Sequence, residues 1–389
     1  MRDAVIVEAV RTPIGKGKPN GALHDVHAVD LLAHSLREVV ARGGIDPALI
    51  DDVIGGVVGQ VGEQGANMTR RAALAAGYPE SVPATTVDRQ CGSSQQAIHF
   101  AAQGVIAGAY DIVVAAGVES MGRIPMGANV AGVGDISGVG FAERYPDGLV
   151  PQGISAELIA ARWGLSRTRL DEFALASHDK AAQATKNGLF TAELTPIAGL
   201  TTDEGIRVGS TLETLGALRP AYYDPAMAAR FPEIDWRITA ASASQVSDGS
   251  AAVLIMTSER AAQLGLTPLA RVHSFAVAGD DPLLMLTAVI PATRKVLQRA
   301  GLQLSDIDLI EINEAFSPVV LAWAADTGAD LGKVNVNGGA IALGHPLGAS
   351  GARLATTLVH AMRERGARYG LQTMCEAGGL ANATVFERI

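Results

Sequence analysis

The chain has 389 residues, of which 48% are hydrophobic and 18% are charged, and its formal net charge is −9. This length suits two or three globular domains, and the composition excludes a disordered or fibrous protein. The acidic excess, without any basic run, argues against nucleic-acid and anionic-membrane partners. No apolar run reaches the ~18 residues of a membrane span, and the N-terminus lacks a signal-peptide pattern. We therefore expect a cytoplasmic protein without membrane insertion.

The first third of the chain alternates between strand-like and helix-like segments. Residues 3–10, 51–58 and 111–120 are short, apolar and typical of buried strands, whereas 29–42 has apolar residues at helical spacing. Such alternation favours an α/β fold. Cys91, in the stretch VDRQCGSSQQA, falls at a predicted turn from strand to helix.

The last third repeats this pattern. Residues 300–315 resemble 43–58, since each contains a glycine, a capped short helix, acidic residues and a strand. Residues 333–362 predict a strand, a Gly-rich loop and a helix, as 84–107 do. We interpret the pattern as an internal duplication, which predicts two similar α/β halves packed together.

The middle of the chain does not follow the repeat. Residues 120–248 begin with a Gly- and Pro-rich stretch and continue as helix, and long insertions of this kind often cover substrate sites. We therefore divide the chain into an N-terminal half of 1–119 plus 249–268, a loop domain of 120–248 that forms a lid, and a C-terminal half of 269–389.

Cys91 has four possible roles: a core residue, half of a disulfide, a metal ligand or a nucleophile. The chain has only two cysteines, which do not form a disulfide framework. The spacing of Cys91, His345 and Cys375 lacks the patterns of zinc sites. A buried core thiol is the commonest environment of a lone cysteine. A helix N-terminus stabilises a thiolate, however, and this position favours a nucleophile.

Three further residues are candidates for chemistry. His345 lies in a tight Gly/Pro loop before a helix, which suits a general base held in one orientation. Cys375 ends a predicted strand, where strand ends from both halves would face one crevice. Asn313, after another strand, either forms a helix cap with Glu314 or donates to a developing oxyanion. No glycine motif of nucleotide hydrolysis or dinucleotide binding is present.

With these residues assembled, the chain resembles the thiolases, the acyl-CoA acetyltransferases that cleave or form 3-oxoacyl-CoA. The resemblance rests on five motifs in family order, VEAVRTPIGK, DRQCGSSQQA, NEAF, NGGAIALGHPLGASGAR and MCEAGG, which span essentially the whole chain. The family fold is α/β, with two similar halves in five-layered α-β-α-β-α packing and an inserted loop domain. That fold agrees with the repeat and with the insertion.

The resemblance implies a role for each candidate. Cys91 carries the acyl group as a thioester, His345 activates the thiol, and Cys375 donates or removes the proton at the acetyl carbon. Asn313 holds a water beside His345, and the backbone N–H groups of Cys91 and Ala377 form an oxyanion hole. The resemblance implies no metal and no permanently bound cofactor, and coenzyme A (CoA) is the cosubstrate.

The resemblance also locates the CoA contacts in and beside the loop domain. It places Arg207 and Thr214 near the nucleotide, Ser244 by the pantetheine, and Ala315 and Phe316 along the same tunnel. An arginine suits a phosphate-bearing ligand. The family's oligomers imply a homodimer, or a homotetramer built as a dimer of dimers.

The sequence departs from the family pattern at three places. Ala377 stands where many relatives have glycine, and it would be strained if its backbone were left-handed. The stretch TAASAS, ending at Ser244, replaces the common TAGNAS. Pro151 and Gln152 replace the His-Met pair typical of acetoacetyl-CoA thiolases, which argues against a dedicated short-chain biosynthetic enzyme.

The sequence therefore predicts an acetyl-CoA C-acyltransferase. It would cleave 3-oxoacyl-CoA with CoA into acetyl-CoA or propionyl-CoA and a shortened acyl-CoA, in fatty-acid or steroid degradation, like the actinobacterial degradative thiolases that it resembles. The alternatives are a biosynthetic thiolase that forms acetoacetyl-CoA and a non-catalytic thiolase-like protein that binds CoA or lipid. A decarboxylating ketoacyl synthase is a further rival, but its chemistry does not need a second thiol such as Cys375.

Overall fold

Helices and strands alternate along the chain, and all the strands join one sheet. The structure, a computed structural model, describes residues 2–389. The strands are β1 Val5–Arg11, β2 Gly15–Lys16, β3 Asp52–Gly56, β4 Ala84–Val87, β5 Ile112–Ser120, β6 Ser247–Met256, β7 Ala270–Gly279, β8 Leu309–Ile312, β9 Tyr369–Glu376 and β10 Leu380–Glu387. The helices are α1 Ala28–Gly43, α2 Met68–Ala75, α3 Ser93–Ala107, α4 Val139–Arg144, α5 Gln152–Arg162, α6 Arg167–Lys186, α7 Leu212–Gly216, α8 Pro225–Arg230, α9 Ser258–Gln263, α10 Val289–Ala300, α11 Ser317–Thr327, α12 Ala340–Leu343 and α13 Ser350–Arg365.

The sheet consists of two halves that meet along a short seam. Its order is β4-β3-β5-β6-β1-β7-β10-β9-β8, with β2 beside β6. Strands β1 and β7 pair only through Val5 with Arg271 and Ile6 with Ala270. In the order of the sheet, the strands from β4 to β1, together with β2, therefore form an N-terminal half. The strands from β7 to β8 form a C-terminal half.

Helices cover both faces of each half, because nearly every strand residue away from the sheet edges is buried. Helices α1 and α2 share a hydrophobic core with the N-terminal half, and α10 and α11 share one with the C-terminal half. Helices α3 and α13 lie between the halves and pack against each other. The layers run α-β-α-β-α, as predicted.

The duplication is visible in the order of the elements. The series β1-α1-β3-α2-β4-α3-β5 in the first half corresponds to β7-α10-β8-α11-α13-β9 in the second. Both halves contain a parallel pair of corresponding strands, β3 with β5 and β8 with β9. The same shift along the sequence aligns Ser93, which begins α3, with Ser350, which begins α13, and aligns Glu119 with Glu376.

One predicted strand is wrong. The sequence predicts a strand at the start of 333–362, but the structure has only a single bridge between Ile310 and Val334 in the place of β4. The reason is Asn335, whose φ of 44° is left-handed. Its side chain accepts from the N–H of Ile312 and donates to the carbonyl of Ile312, both at 2.9 Å. These side-chain hydrogen bonds take the place of the backbone bonds that a neighbouring strand would make.

The other predicted elements of the first third are present as β1, β3, β5 and α1. Strand β5 ends at Ser120 and β6 begins at Ser247, and the segment between them, described throughout, contains helices α4 to α8 and no strand. Among residues 2–389, no helix combines the length and the apolar character needed to cross a membrane.

The two central helices approach each other at their N-terminal ends through glycines. A Cβ atom at Gly351 in the first turn of α13 would lie 2.1 Å from the backbone nitrogen of Gln95 in α3. A Cβ at Gly117 would lie 2.2 Å from the carbonyl oxygen of Gly348. Backbone atoms cannot move aside, so only glycine fits at these positions. The contact brings the segments before α3 and α13 together.

We predict that Gly351→Ala destabilises the protein by about 1–3 kcal/mol, because the added methyl group overpacks this contact. The measurement is the free energy of unfolding in urea. The control is Gly216→Ala, where a Cβ would meet nothing within 4 Å. A Gly351→Ala protein as stable as the control would contradict this account of the helix contact.

Candidate active site

Cys91 lies in a rigid turn directly before α3. The preceding residue, Gln90, has a left-handed backbone with φ 49°. The hydroxyl of Ser93 accepts from the N–H of Arg89 at 2.9 Å and donates to the carbonyl of Gln90 at 2.6 Å. These bonds hold the strained turn, so the backbone around the Cys91 thiol has one conformation.

His345 lies at the corresponding end of α13, and its hydrogen bonds determine its tautomer. The hydroxyl of Ser350 donates to the carbonyl of Pro346 at 2.8 Å. Its oxygen is 2.6 Å from Nδ1 of His345, and since its only proton is used, Nδ1–H must be the donor. The amide of Asn313 approaches Nε2 at 3.3 Å. Nε2 of a neutral imidazole is therefore the basic nitrogen.

Cys375 lies near the end of β9, and the hairpin that follows it shows how Ala377 is accommodated. Left-handed backbone occurs at Gly378 and Gly379, with φ 87° and 79°, and not at Ala377. Alanine in place of the family's usual glycine therefore causes no backbone strain.

Asn313 and Glu314 do not cap the helix that follows them. Helix α11 has no side-chain cap. Glu314 instead accepts from the hydroxyl of Ser177 at 2.6 Å, from the side chain of Asn335 at 2.8 Å and from the N–H of Ile341 at 3.1 Å. It thereby holds α12, the helix that leads to His345. The Oδ1 atom of Asn313 is buried without a partner among the described residues.

Burial keeps the reacting groups neutral. It raises the pKa of Cys91 to about 12, and the nearby carboxyl of Glu376 adds to the effect. It lowers the pKa of His345 to about 3, with a contribution from Arg353. It raises the pKa of Cys375 well above its usual value, and a charge on Cys91 would raise it further. These directions describe Cys91 as a thiol at rest, with His345 uncharged.

Three residues near the site were not among the predicted site residues. Ser350 sets the tautomer of His345. The side chain of Gln152 lowers the pKa of Cys91, though by less than burial raises it. Glu119 accepts from the N–H groups of Val58 and Gly59 at 3.0 Å and of Gly348 at 2.8 Å. Of these three residues, only Gln152 had a signal in the sequence, as part of the unusual Pro151-Gln152 pair.

The disulfide and metal alternatives find no structural counterpart. Cys91 and Cys375 are both free and buried. Among residues 2–389, no group of three or more His, Cys, Asp or Glu side chains is arranged to hold a metal ion.

The five residues expected to contact CoA fall into two groups. Ser244, Ala315 and Phe316 lie together, because the N–H of Ser244 donates to the carbonyl of Ala315 at 2.9 Å. The same segment continues to Ser247, whose hydroxyl accepts from the N–H of His345 at 3.1 Å. This group is therefore contiguous with the catalytic candidates.

Arg207 and Thr214 are exposed and belong to the loop segment. The backbone N–H of Arg207 donates to Nδ1 of His178 at 3.1 Å, and this bond fixes the backbone from which the exposed side chain extends. The hydroxyl of Thr214 already takes part in a capping box with Thr211. The side chain of Thr214 is therefore engaged in a hydrogen bond within the loop segment.

We predict that Cys91 and His345 form a neutral pair at rest. A thiol whose pKa is raised stays protonated below that value, and an imidazole whose pKa is lowered stays neutral above it, so neither group ionises between about pH 5 and pH 9. The measurement is the ultraviolet thiolate absorbance of the wild-type protein minus that of Cys91→Ala. A thiolate signal near neutral pH would contradict the neutral pair.

Comparisons with known protein families give a match in each half of the chain. A family model of the thiolase N-terminal domain matches residues 4–259, and one of the thiolase C-terminal domain matches 266–388. The steroid 3-ketoacyl-CoA thiolase FadA6 of Mycobacterium tuberculosis is 46% identical over 401 residues, which cover 100% of this chain and 95% of that protein. The 3-ketoacyl-CoA thiolase of Aliivibrio fischeri is also 46% identical, with 100% of both chains covered.

Solved structures give the same result. The acetyl-CoA acetyltransferase of Bacillus anthracis has a TM-score of 0.89 and 38% identity, and the match covers 100% of this chain and 99% of that one. A human mitochondrial 3-ketoacyl-CoA thiolase in complex with CoA has a TM-score of 0.89 and 34% identity, covering 100% and 98%. Matches in both domains and over the full length leave one conclusion: the chain belongs to the thiolase family.

Proposed function

We propose that the chain is a degradative 3-oxoacyl-CoA thiolase, which cleaves its substrate with CoA through a thioester on Cys91. The observation that carries the proposal is the combination of two buried thiols with a neutral imidazole whose Nε2 is the basic nitrogen. Thiolysis needs one nucleophile and one separate proton donor, and two thiols supply both.

The first half-reaction forms the acyl-enzyme. The Cys91 thiol gives its proton to Nε2 of His345 as its sulfur attacks the 3-oxo carbonyl. The C2–C3 bond then breaks, and its electron pair passes to the acetyl-CoA enolate. Cys375 gives its proton to C2, so acetyl-CoA leaves and Cys375 becomes a thiolate.

The second half-reaction restores all three groups. A CoA thiol gives its proton to the Cys375 thiolate and attacks the thioester carbonyl. The tetrahedral intermediate expels the Cys91 sulfur, which recovers its proton from His345. The cycle balances without an oxidant: Cys91, His345 and Cys375 return to their starting protonation states, and the proton of the CoA thiol replaces the one that Cys375 gave to C2 of acetyl-CoA.

Developing negative charge needs donors at two positions. The unpartnered Oδ1 of Asn313 can accept from one O–H of a water, and the other O–H of that water can donate a hydrogen bond to the enolate oxygen beside His345. The backbone N–H groups of Cys91 and Ala377 lie at the start of α3 and the end of β9, and we assign them to the tetrahedral oxyanion. The ordinary backbone of Ala377 supports this assignment.

CoA would enter along the surface that Ser244, Ala315 and Phe316 form together, with its nucleotide near Arg207. The human relative solved with CoA supports a CoA site in this fold. We propose that Thr214 acts only through the loop, since its hydroxyl is engaged locally.

Three broader assignments belong to the same proposal. The similarity to FadA6 supports a CoA ester derived from steroid or fatty-acid degradation. We propose a homodimer or a homotetramer, because β4 ends the sheet with an open edge. Two free cysteines support a reducing, cytoplasmic location.

We predict that Cys91→Ala abolishes thiolysis, with kcat/KM reduced by more than about 10⁴-fold, because the thioester can no longer form. The measurement is the loss of 3-oxoacyl-CoA in a panel from acetoacetyl-CoA to long-chain and ring-bearing esters. A thioester on Cys91, detected by mass spectrometry after acyl-CoA addition, is the positive readout. Activity of Cys91→Ala on any of these esters would overturn the proposed function.

The panel also separates degradation from synthesis. A degradative enzyme should have its highest kcat/KM with long or ring-bearing substrates. A biosynthetic enzyme should prefer acetoacetyl-CoA, and a non-catalytic protein should bind acyl-CoA without forming the thioester.

We predict that Ser350→Ala reduces kcat/KM by about 10- to 100-fold, because Nδ1 of His345 loses its acceptor and the basic tautomer is no longer enforced. The matched control on the same helix is Thr356→Val, since the buried hydroxyl of Thr356 has no partner among the described residues. Steady-state thiolysis rates provide the measurement. Equal losses in both variants would show that packing of α13, not the tautomer, is responsible.

A further inference from the structure

Glu376 is an unusual residue for its position. It lies between Cys375 and Ala377, and its relative exposure is 0%. Neither of its carboxyl oxygens has a partner within hydrogen-bond distance and angle among the described residues, and the one donor that acts on it from further away is the backbone N–H of Asn382. A buried polar group left in this way is costly and is found where function requires it. The proposed mechanism does not use it.

The carboxyl packs directly against the nucleophile's turn. A Cβ atom placed on Gly92 would lie 1.9 Å from Oε1 of Glu376. The side chain of Glu376 therefore faces the start of α3. The oxygen atoms therefore lie at the start of α3, where the N–H of Cys91 is the proposed oxyanion donor.

The duplication supplies an internal comparison. Glu119 occupies the same position in β5 as Glu376 in β9, and Gly348 corresponds to Cys91. Glu119 accepts from the N–H of Gly348 at 2.8 Å and from three other donors. A carboxylate at this position can therefore accept a hydrogen bond from the backbone N–H just before the opposite central helix. Glu376 does not accept the corresponding bond from the N–H of Cys91.

Few charged groups surround this carboxyl. The groups that act on it or feel its charge are Cys91, Arg89 and Asp88 from the turn before α3, Cys375 from β9, and the backbone N–H of Asn382 from β10. Arg89 makes no hydrogen bond to it, and the Nε atom of Arg89 is itself unpartnered among the described residues. The acid therefore has no counter-charge in contact.

We propose that Glu376 is a positioning residue for the reaction of Cys91: as a neutral acid it leaves the backbone N–H of Cys91 free for the oxyanion, and on ionisation it captures that N–H and stops the reaction. The next two N–H groups, of Gly92 and Ser93, already donate to the carbonyls of Arg89 and Gln90. The proposal rests on the proposed thiolase function. Glu119 is the example of the captured state. The negative charge of an ionised Glu376 would also oppose formation of the Cys91 thiolate, because both groups are buried and close.

The direction of the pH effect follows. The protonated form of Glu376 is the active one, so activity is present below its pKa and is lost as pH rises through it. Burial raises that pKa well above the usual value. The wild-type enzyme should therefore lose kcat/KM at alkaline pH.

The test compares Glu376→Gln with the wild type. The quantity measured is the ratio of kcat/KM at about pH 9.5 to that at about pH 6.5, and we expect the variant to raise this ratio at least about tenfold. Glu376→Met, which removes the unpartnered oxygens, should raise it as well and keeps the test available if the amide folds poorly. The control is Asp171→Asn, a buried carboxyl with one unpartnered oxygen, which should leave the ratio at the wild-type value.

A second readout does not depend on thiolysis. The rate of Cys91 alkylation by iodoacetamide, measured over the same pH range, should increase more steeply with pH in Glu376→Gln than in the wild type. A folded variant with the wild-type ratio and the wild-type alkylation profile would overturn the role of Glu376. Absence of thiolysis in the wild type, with the alkylation difference retained, would overturn the proposed function and leave the charge effect standing.

Discussion

The close approach of α3 and α13 at their N-terminal ends is the constraint on which the site depends. Gly351 allows this contact, because a side chain there would meet the backbone of α3 at 2.1 Å, and Gly117 in β5 leaves room for the segment before α13. Cys91 lies before one helix and His345 before the other, so the proposed nucleophile and its proposed base come from different halves. Under this proposal neither half holds a complete site, and the candidate groups come together only where the two central helices meet.

That contact also buries the site, and burial determines how it works. In a medium of low dielectric constant, a thiolate and an imidazolium are both disfavoured, which is why the two pKa values move apart. A reaction that proceeds through transient proton transfers between neutral groups suits such a place. Fixed donors are more effective there than in water, since no solvent competes with them.

Much of this could be predicted from the sequence, because it depends on local pattern. The strands, the duplication and the positions of Cys91, His345 and Cys375 at element ends follow from short apolar runs and glycine loops. The direction of the Cys91 pKa shift could not be predicted, since it depends first on burial and then on Glu376, which is far away in the sequence. The strand expected near Val334 fails for a similar reason: a side chain of Asn335, not the local propensity, decides the pairing.

The duplication shows how the two halves of the site differ at corresponding positions. Corresponding positions carry different residues: Asp88 corresponds to His345, and Cys91 corresponds to Gly348. At each of these two positions, only one half carries a candidate for the chemistry. Glu119 and Glu376 are the exception, because both halves keep the acid. One acid is fully bonded and fastens the His345 loop, whereas the other is unbonded beside the nucleophile. The same carboxyl is thus structural in one half, and in the other its protonation state can act on the chemistry.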